Sequence, residues 1–418
     1  MMPRKIVGLI VVSVALLFVT ATEAPHAWAV AAHAKSQAHA AQKHASHKSK
    51  KKTAKAARKS GAAKTVATAR KPAAPPVVIV TKEANDAPDF DFQDRIEQAQ
   101  ELAARQPILK DDMQFDAAGN LTRFVWVLVV GQKTGPLTVV RMDEAGNNDQ
   151  GFAVTWVVDN FINTHFKVTK PEGYIVFAQR RPVRSKGTYE EGVYTAYAPE
   201  MDTKTMRTAG MDYLRHLQRM AYNKIEDHDV RSLVTPNLTV AEKIPTSMVL
   251  RLMITEHVDP LRMRYVGIEQ CVHEVLFTIA ANRGRAYAYA KSSAGARGLP
   301  QFMEESYQMV RANYPKALLE PNFERGMGDL RNAVLASVLL LDLELTHLPK
   351  EYLERIVSSS PQLAAFLAAG YNRNPARVAK TYHRTRTMTG GDAPYENKMY
   401  VRIQSWVGKF LAKEYGLT

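Results

Sequence analysis

The chain has 418 residues, with 56 Lys and Arg against 41 Asp and Glu for a formal charge of +15, and a single cysteine. Cys271 alone excludes a fold held by intramolecular disulfides. The charge is a local property: residues 30–75 hold twelve Lys and Arg and no Asp or Glu, and with the net single charge of residues 1–29 they account for all but two of the fifteen.

In chain order, Arg4 and Lys5 precede an apolar run over residues 6–19 and a small-residue site at Ala27-Trp28-Ala29. That layout predicts a secretory signal peptide over 1–29, with the run shorter than a spanning helix needs, and an exported, periplasmic or envelope-associated protein. Residues 30–76 are mostly Ala, Lys and His with almost no large apolar side chain, a short apolar run follows at 77–80, and 30–84 is predicted to be a disordered basic tail. Such a tail suits a tether or loose adhesion to anionic envelope polymers. It does not suit nucleic acid, because export removes the chain from it and no aromatic residue is interleaved with the cations.

From residue 85 the composition is globular and long enough for roughly two domains. Residues 93–105 read as a polar helix. Residues 124–130, 137–141, 152–158 and 174–177 are rich in β-branched and aromatic side chains and are separated by Ala-Gly-Asn, Thr-Gly-Pro, Ala-Gly-Asn-Asn and Pro-Glu-Gly turns. They predict a strand-rich α+β module over 85–207, of unassigned role. A helical connector follows over 208–244, with a helix at 208–224. From residue 245 the spacing predicts helices at 246–257, 267–281, 300–313, 328–347, 350–358, 361–371 and 395–411. The fold class is therefore α+β: a strand-rich module, then an all-α domain over 245–418.

Three blocks in that last part carry chemistry. Residues 292–303 read Ser-Ser-Ala-Gly-Ala-Arg-Gly-Leu-Pro-Gln-Phe-Met; Gly295 and Gly298 let a loop pass its backbone close to a ligand, and Gln301 is expected to open a helix. Residues 367–375 read Leu-Ala-Ala-Gly-Tyr-Asn-Arg-Asn-Pro, followed by Arg377-Val378, and residues 394–401 read Pro-Tyr-Glu-Asn-Lys-Met-Tyr-Val. In this order they resemble the Ser-x-x-Gly-Ala-x-Gly-Leu-Met-Gln-x-Met, Ala-Ala-Tyr-Asn-Ala-Gly-Pro-x-x-Val and Pro-x-Glu-Thr-x-x-Tyr-Val signatures of the soluble lytic murein transglycosylases. The resemblance implies a lysozyme-like fold and peptidoglycan glycan strands as substrate. It also implies substrate-binding roles for Ser292, Gly295, Gln301, Tyr371, Asn372 and Tyr400. The chain departs from the pattern at Pro300, Gly370, Asn374 and Asn397, where the family has Met, Ala, Gly and Thr.

The family's catalytic acid is a Glu at a helix end about a dozen residues before the Gly-Ala pair, and a gap-free alignment puts Arg283 there, which cannot donate a proton at neutral pH. Two carboxyls lie upstream. On a helical wheel Glu256 falls inside the apolar stripe of Met248, Val249, Leu252 and Met253, where burial raises a carboxyl pKa toward that of a general acid, and it stands just before Asp259-Pro260, like the family's Glu-Ser-x-x-x-Pro helix end. Its rival Glu274 falls opposite the stripe of Ile268, Val272, Val275, Leu276 and Ile279, a solvent-facing position. An ion pair of Glu256 with Arg251 or Arg262 is the structural alternative to catalysis.

By the resemblance, the reaction is non-hydrolytic cleavage of the β-1,4 bond between N-acetylmuramic acid and N-acetylglucosamine, giving a 1,6-anhydro product with one Glu as acid and then base. No cofactor is needed, and no metal is indicated: His273-Glu274 lacks the second histidine of His-Glu-x-x-His, and His257 is isolated. The alternative function is a catalytically inactive peptidoglycan-binding scaffold within an envelope protein complex.

Overall fold

The structure is a computed structural model that describes residues 90 to 417, apart from 110, 158–161, 163, 186, 187, 358, 359 and 392. The signal peptide and basic tail expected over 1–84 lie outside the described residues. Helix α1 (Gln93–Arg105) forms as its sequence predicts and leads into strands β1 (Met113–Phe115), β2 (Leu121–Gly131), β3 (Leu137–Asp143), β4 (Ala153–Val157), β5 (His165–Lys170), β6 (Ile175–Ser185) and β7 (Thr188–Tyr194). All pairings are antiparallel. β2 is central, with β1 on its first residues, β3 and β6 along the rest, and β7 beyond β6; β4 and β5 form a separate hairpin.

β2 reads as a continuous apolar run because both faces of the sheet are covered. Val129, with Phe177 and Val193, packs on Ile96, Ala99 and Ala103 of α1; Trp126, Leu128 and Val130 pack on Val154, Phe166 and Val168 of the β4–β5 hairpin. Two turns of matching chemistry shape the sheet. Asp116 accepts from Ala118 N and Asn120 N, and Asp143 from Ala145 N and Asn147 N, all between 2.8 and 2.9 Å.

The rest of the chain is helical: α2 (Lys204–Asp227), α3 (Val240–Lys243), α4 (Thr246–Thr255), α5 (Pro260–Asn282), α6 (Glu304–Asn313), α7 (Phe323–Gly328), α8 (Leu330–Leu345), α9 (Lys350–Val357), α10 (Ser360–Asn372), α11 (Pro375–Thr385) and α12 (Tyr395–Tyr415). α8 is apolar around nearly its whole circumference and forms the central post of the core, contacting α2, α4, α6, α7 and α10. α2 crosses α5 so closely that a Cβ on Gly210 would lie 2.0 Å from the carbonyl oxygen of Leu276. Cys271 is buried on α5, and burial pushes its thiol up to about 12. Among the described residues no helix is long and apolar enough to cross a membrane.

The structure differs from the sequence expectation at several elements. β1, β5, β7 and α11 were not anticipated, since each buries only a few side chains; in β5 only Phe166 and Val168 face the core. The helix expected from residue 300 begins at Glu304, because Gln301 takes a left-handed backbone (φ 50°) that ends any helical run. α5 starts seven residues earlier than expected, at Pro260, with Asp259 capping it through Leu261 N at 2.7 Å and a break at Gly267 (φ 82°, ψ 167°). The described residues belong to one compact unit in which Phe277, Ala280 and Ala281 of α5 share a core with α1 and the sheet.

Candidate active site

α4 is apolar on most of its surface and ends at Thr255, ahead of Asp259-Pro260, leaving Glu256 as its C-cap. Glu256 keeps an edge at the surface, but its carboxyl is enclosed closely enough that burial pushes it up to about 8. The opposing influence is a hydrogen bond from the Tyr400 hydroxyl of α12 to Glu256 Oε1, which favours the ionised form. Tyr371 of α10 is close enough to Glu256 for its phenol to be held up by the carboxylate as well as by burial, so the two tyrosines and the acid form one cluster drawn from three helices.

The 292–301 loop is tied to that cluster at two points. Tyr371 donates to the carbonyl of Pro300 at 2.6 Å, and His257, next to Glu256, bonds through Nε2 to the carbonyl of Leu299 at 2.7 Å. A carbonyl only accepts, so His257 carries its proton on Nε2. Burial lowers His257 to about 4, which keeps the ring neutral, and it stacks on Tyr287 with centroids 3.5 Å apart. His257 is thus a structural strut and not the isolated side chain its sequence context suggests.

Within the loop, Ser292 Oγ accepts from Ala296 N at 3.0 Å, and Gln301 Nε2 donates to the carbonyl of Gly298 at 2.8 Å. Both side chains therefore fix the loop's shape. Gly295 (φ 98°) faces open space, whereas a Cβ on Gly298 (φ 73°) would meet the carbonyl oxygen of Met327 at 2.6 Å. Gly295 also borders an open recess of about 260 Å³ lined by Lys291, Arg297, Glu304 and Glu324 among others, which does not include Glu256.

Asn372 ends α10, exposed, and its Oδ1 accepts from Asn397 Nδ2 at 3.2 Å. Asn397 also donates to the carbonyl of Ala369 at 2.9 Å, so the first turn of α12 is stitched to the end of α10 and the two tyrosines are held in register. The structure does not bring Glu274 to this cluster. It is paired through both oxygens with Arg262, and the expected solvent-facing position is corrected accordingly: the side chain is mostly buried in that pair. Because Arg262 is engaged there and Arg251 lies along Gly408, neither forms the ion pair with Glu256 that the sequence allowed. Arg283, the gap-free counterpart of the family acid, closes α5 and pairs with Glu97 at 3.1 Å.

No protein family, curated protein or solved structure matches the chain. One group of the site was missed entirely. Glu344, buried at the end of α8, neighbours both tyrosines; the only signal in the sequence was Gly370, a helix-interior glycine immediately before Tyr371.

Proposed function

We propose that the helical part of this chain is a lysozyme-like peptidoglycan lytic transglycosylase, with Glu256 as its acid and base and Tyr400 and Tyr371 as the groups that orient it. The observation that carries this reading is an enclosed carboxyl that burial pushes up to about 8, hydrogen-bonded by one tyrosine and flanked by another that itself grips the 292–301 loop. At neutral pH such a carboxyl holds its proton and is competent to give it away. The three sequence blocks that resemble the transglycosylase signatures supply the substrate class.

In the reaction, Glu256 protonates the glycosidic oxygen as the bond from the muramyl C1 to that oxygen breaks, and the substrate's acetamido group supports the cationic C1. Glu256, now a carboxylate, is stabilised by the Tyr400 hydroxyl. It then takes the proton of the muramyl 6-hydroxyl as that oxygen bonds to C1, closing the 1,6-anhydro ring and restoring the acid. Substrate assistance makes a second enzymatic carboxylate at the reacting centre unnecessary. No water is consumed, and no metal or cofactor is required.

The reading puts the protein in the periplasm or cell envelope, on glycan strands, with the basic residues of 30–75 adhering to anionic polymers nearby. Digestion of purified sacculi by the whole chain is expected to release 1,6-anhydro muropeptides detectable by mass spectrometry, and Glu256→Gln to reduce their rate of release by at least about 10³-fold. Unchanged release by Glu256→Gln would overturn the assignment of the acid. Retention on sacculi with no anhydro product under any condition would support the scaffold reading in its place.

A further inference from the structure

Glu344 lies on the last turn of α8 and is 3% exposed, yet no cation pairs with it among the described residues, and its Oε2 has no hydrogen-bond partner. Its seat is a gap in α10. Gly370 leaves the space that the carboxyl occupies: a Cβ there would lie 2.7 Å from Glu344 Oε2 and 3.3 Å from its Cδ. Two unfavourable choices therefore meet at one spot, since glycine is poor inside a helix and an unpaired buried carboxyl is poorer still. A leucine at 344 facing an alanine at 370 would meet neither. Departures from local rules of this kind concentrate where a group is needed for function.

The titratable groups that face Glu344 are Tyr371, next to Gly370 on α10, and Tyr400 of α12. Both phenols also feel Glu256, whereas Glu256 itself responds to burial and to Tyr400, so any link between the two carboxyls runs through the tyrosines. We propose that Glu344 is a positioning residue of the site, an uncharged acid seated in the slot of Gly370 that backs Tyr371 and Tyr400 and must stay uncharged for them to serve Glu256. Burial alone holds its carboxyl well above the ordinary range, in keeping with that state. An ionised Glu344 would set a second negative charge beside the phenols, of which Tyr400 has to donate to the Glu256 carboxylate and Tyr371 to the Pro300 carbonyl, and in a poorly solvated cluster that weakens them as donors. The inference rests on Glu256 being the acid of the proposed reaction.

Two measurements on the whole chain test it. In the first, carboxyl ¹³C resonances of glutamate-labelled protein are titrated, with Glu344→Gln assigning the signal. Glu344 is expected to remain protonated through neutrality, and Glu256→Gln, which removes the anion that shares Tyr371 and Tyr400 with it, is expected to lower its midpoint. Titration of Glu344 in the ordinary carboxylate range, or a midpoint indifferent to Glu256→Gln, overturns the proposal whether or not the protein is active.

In the second, Glu344→Ala and Gly370→Ala are each expected to lower kcat for anhydro-muropeptide release about tenfold by displacing the tyrosines. KM should stay within about twofold, and the double variant should be no worse than either single one, because Glu344→Ala removes the carboxyl that Gly370→Ala displaces from the same slot. Glu344→Gln, uncharged and of the same shape, should recover most of the loss, and its activity should fall at alkaline pH with one ionisation where the parent shows two. Additive losses, no recovery by Gln, or equal alkaline limbs in Gln variant and parent overturn the positioning role. Absence of anhydro product from the parent chain instead sinks the transglycosylase reading, and the ¹³C titration still decides the state of Glu344.

Discussion

Burial and the Tyr400 hydrogen bond act oppositely on the Glu256 proton, and on the proposed function the balance between them sets the pH range of activity. The Tyr400 hydrogen bond lowers the Glu256 pKa while burial raises it to about 8. Tyr400→Phe removes only the lowering influence, so the alkaline limb of the activity profile is expected to move to higher pH while kcat falls by about 10- to 100-fold through loss of a donor to the carboxylate. A limb that moves to lower pH would show the bond favouring the neutral form. Glu256 also leaves a mark on stability. Its folded pKa lies above its unfolded value of 4.5, so its contribution is fully present below that value and is lost as pH rises through about 8. His257 has the reverse sense: its folded pKa of about 4 lies below 6.5, and its contribution is lost as pH falls through that window. Glu256→Gln should therefore stabilise the protein relative to the parent more at about pH 8 than at about pH 5, by a difference on the order of a few kcal/mol, and urea unfolding followed by circular dichroism at the two pH values checks it. An equal change at both would place the carboxyl in water. Glu256 was legible in the sequence because it interrupts an apolar helical stripe. Its partner Tyr400 was legible only through the resemblance, and Glu344 was hidden because its neighbours come from α10 and α12, far along the chain.

The 292–301 loop works as an element through its backbone, and the long apolar or patterned segments around it were the part of the fold easiest to read. Ser292 and Gln301, expected to face substrate, hold the loop by hydrogen bonds to Ala296 N and the Gly298 carbonyl; the loop presents its backbone and the neighbourhood of Gly295. Gly298 and Gly295 share a left-handed backbone but differ in surroundings, which separates two kinds of cost. Gly298→Ala must push against the Met327 carbonyl and is expected to lower stability by about 2–4 kcal/mol, whereas Gly295→Ala, in open space, should cost about 1 kcal/mol from its backbone alone. Urea unfolding of both variants measures the difference, and equal losses would mean that α7 yields to make room. α2, α8, α10 and α12 were predictable because each carries a long helical repeat. α11 escaped because it buries little beyond Val378, Ala379, Thr381 and Tyr382, and β7 because its Tyr-Glu-Glu-Gly sequence has no apolar alternation, so pairing with β6 and not side-chain pattern makes it a strand. The helix predicted from residue 267 missed the first two turns of α5, whose Leu261, Tyr265 and Val266 are exposed and so carry no buried stripe.

The sheet and the helices are joined by a buried polar joint that composition does not reveal, and this bears on how much of the chain the site requires. Asn282, at the end of α5, accepts from Thr195 N at 2.8 Å and donates to Thr195 O at 2.9 Å and Thr278 O at 3.0 Å, while Gln100 of α1 reaches both Thr195 Oγ1 at 2.8 Å and the Ala281 carbonyl at 2.9 Å. Asn282→Ala strips partners from a buried N–H and a buried carbonyl at once and is expected to destabilise the protein by about 2–4 kcal/mol. Around the joint, α5 turns Phe277, Ala280 and Ala281 toward α1 and the sheet while its Val272, Val275, Leu276 and Ile279 face the helical core. A helix apolar on two sides needs both neighbours. α2 lies between α5 and α8 in the same way, burying Met211, Leu214 and Leu217. The three sequence blocks and Glu256 all fall after residue 245, yet residues 245–418 expressed alone would expose both the α2-facing and the sheet-facing surfaces of α5. That fragment is expected to aggregate or to bind a hydrophobic dye strongly, whereas residues 90–418 should unfold in a single cooperative transition monitored by near-ultraviolet circular dichroism. A folded, cooperative 245–418 fragment would show that the sheet module is an appendage. Two separated transitions in 90–418 would show that the joint at Asn282 does not couple the sheet to the acid-bearing helices.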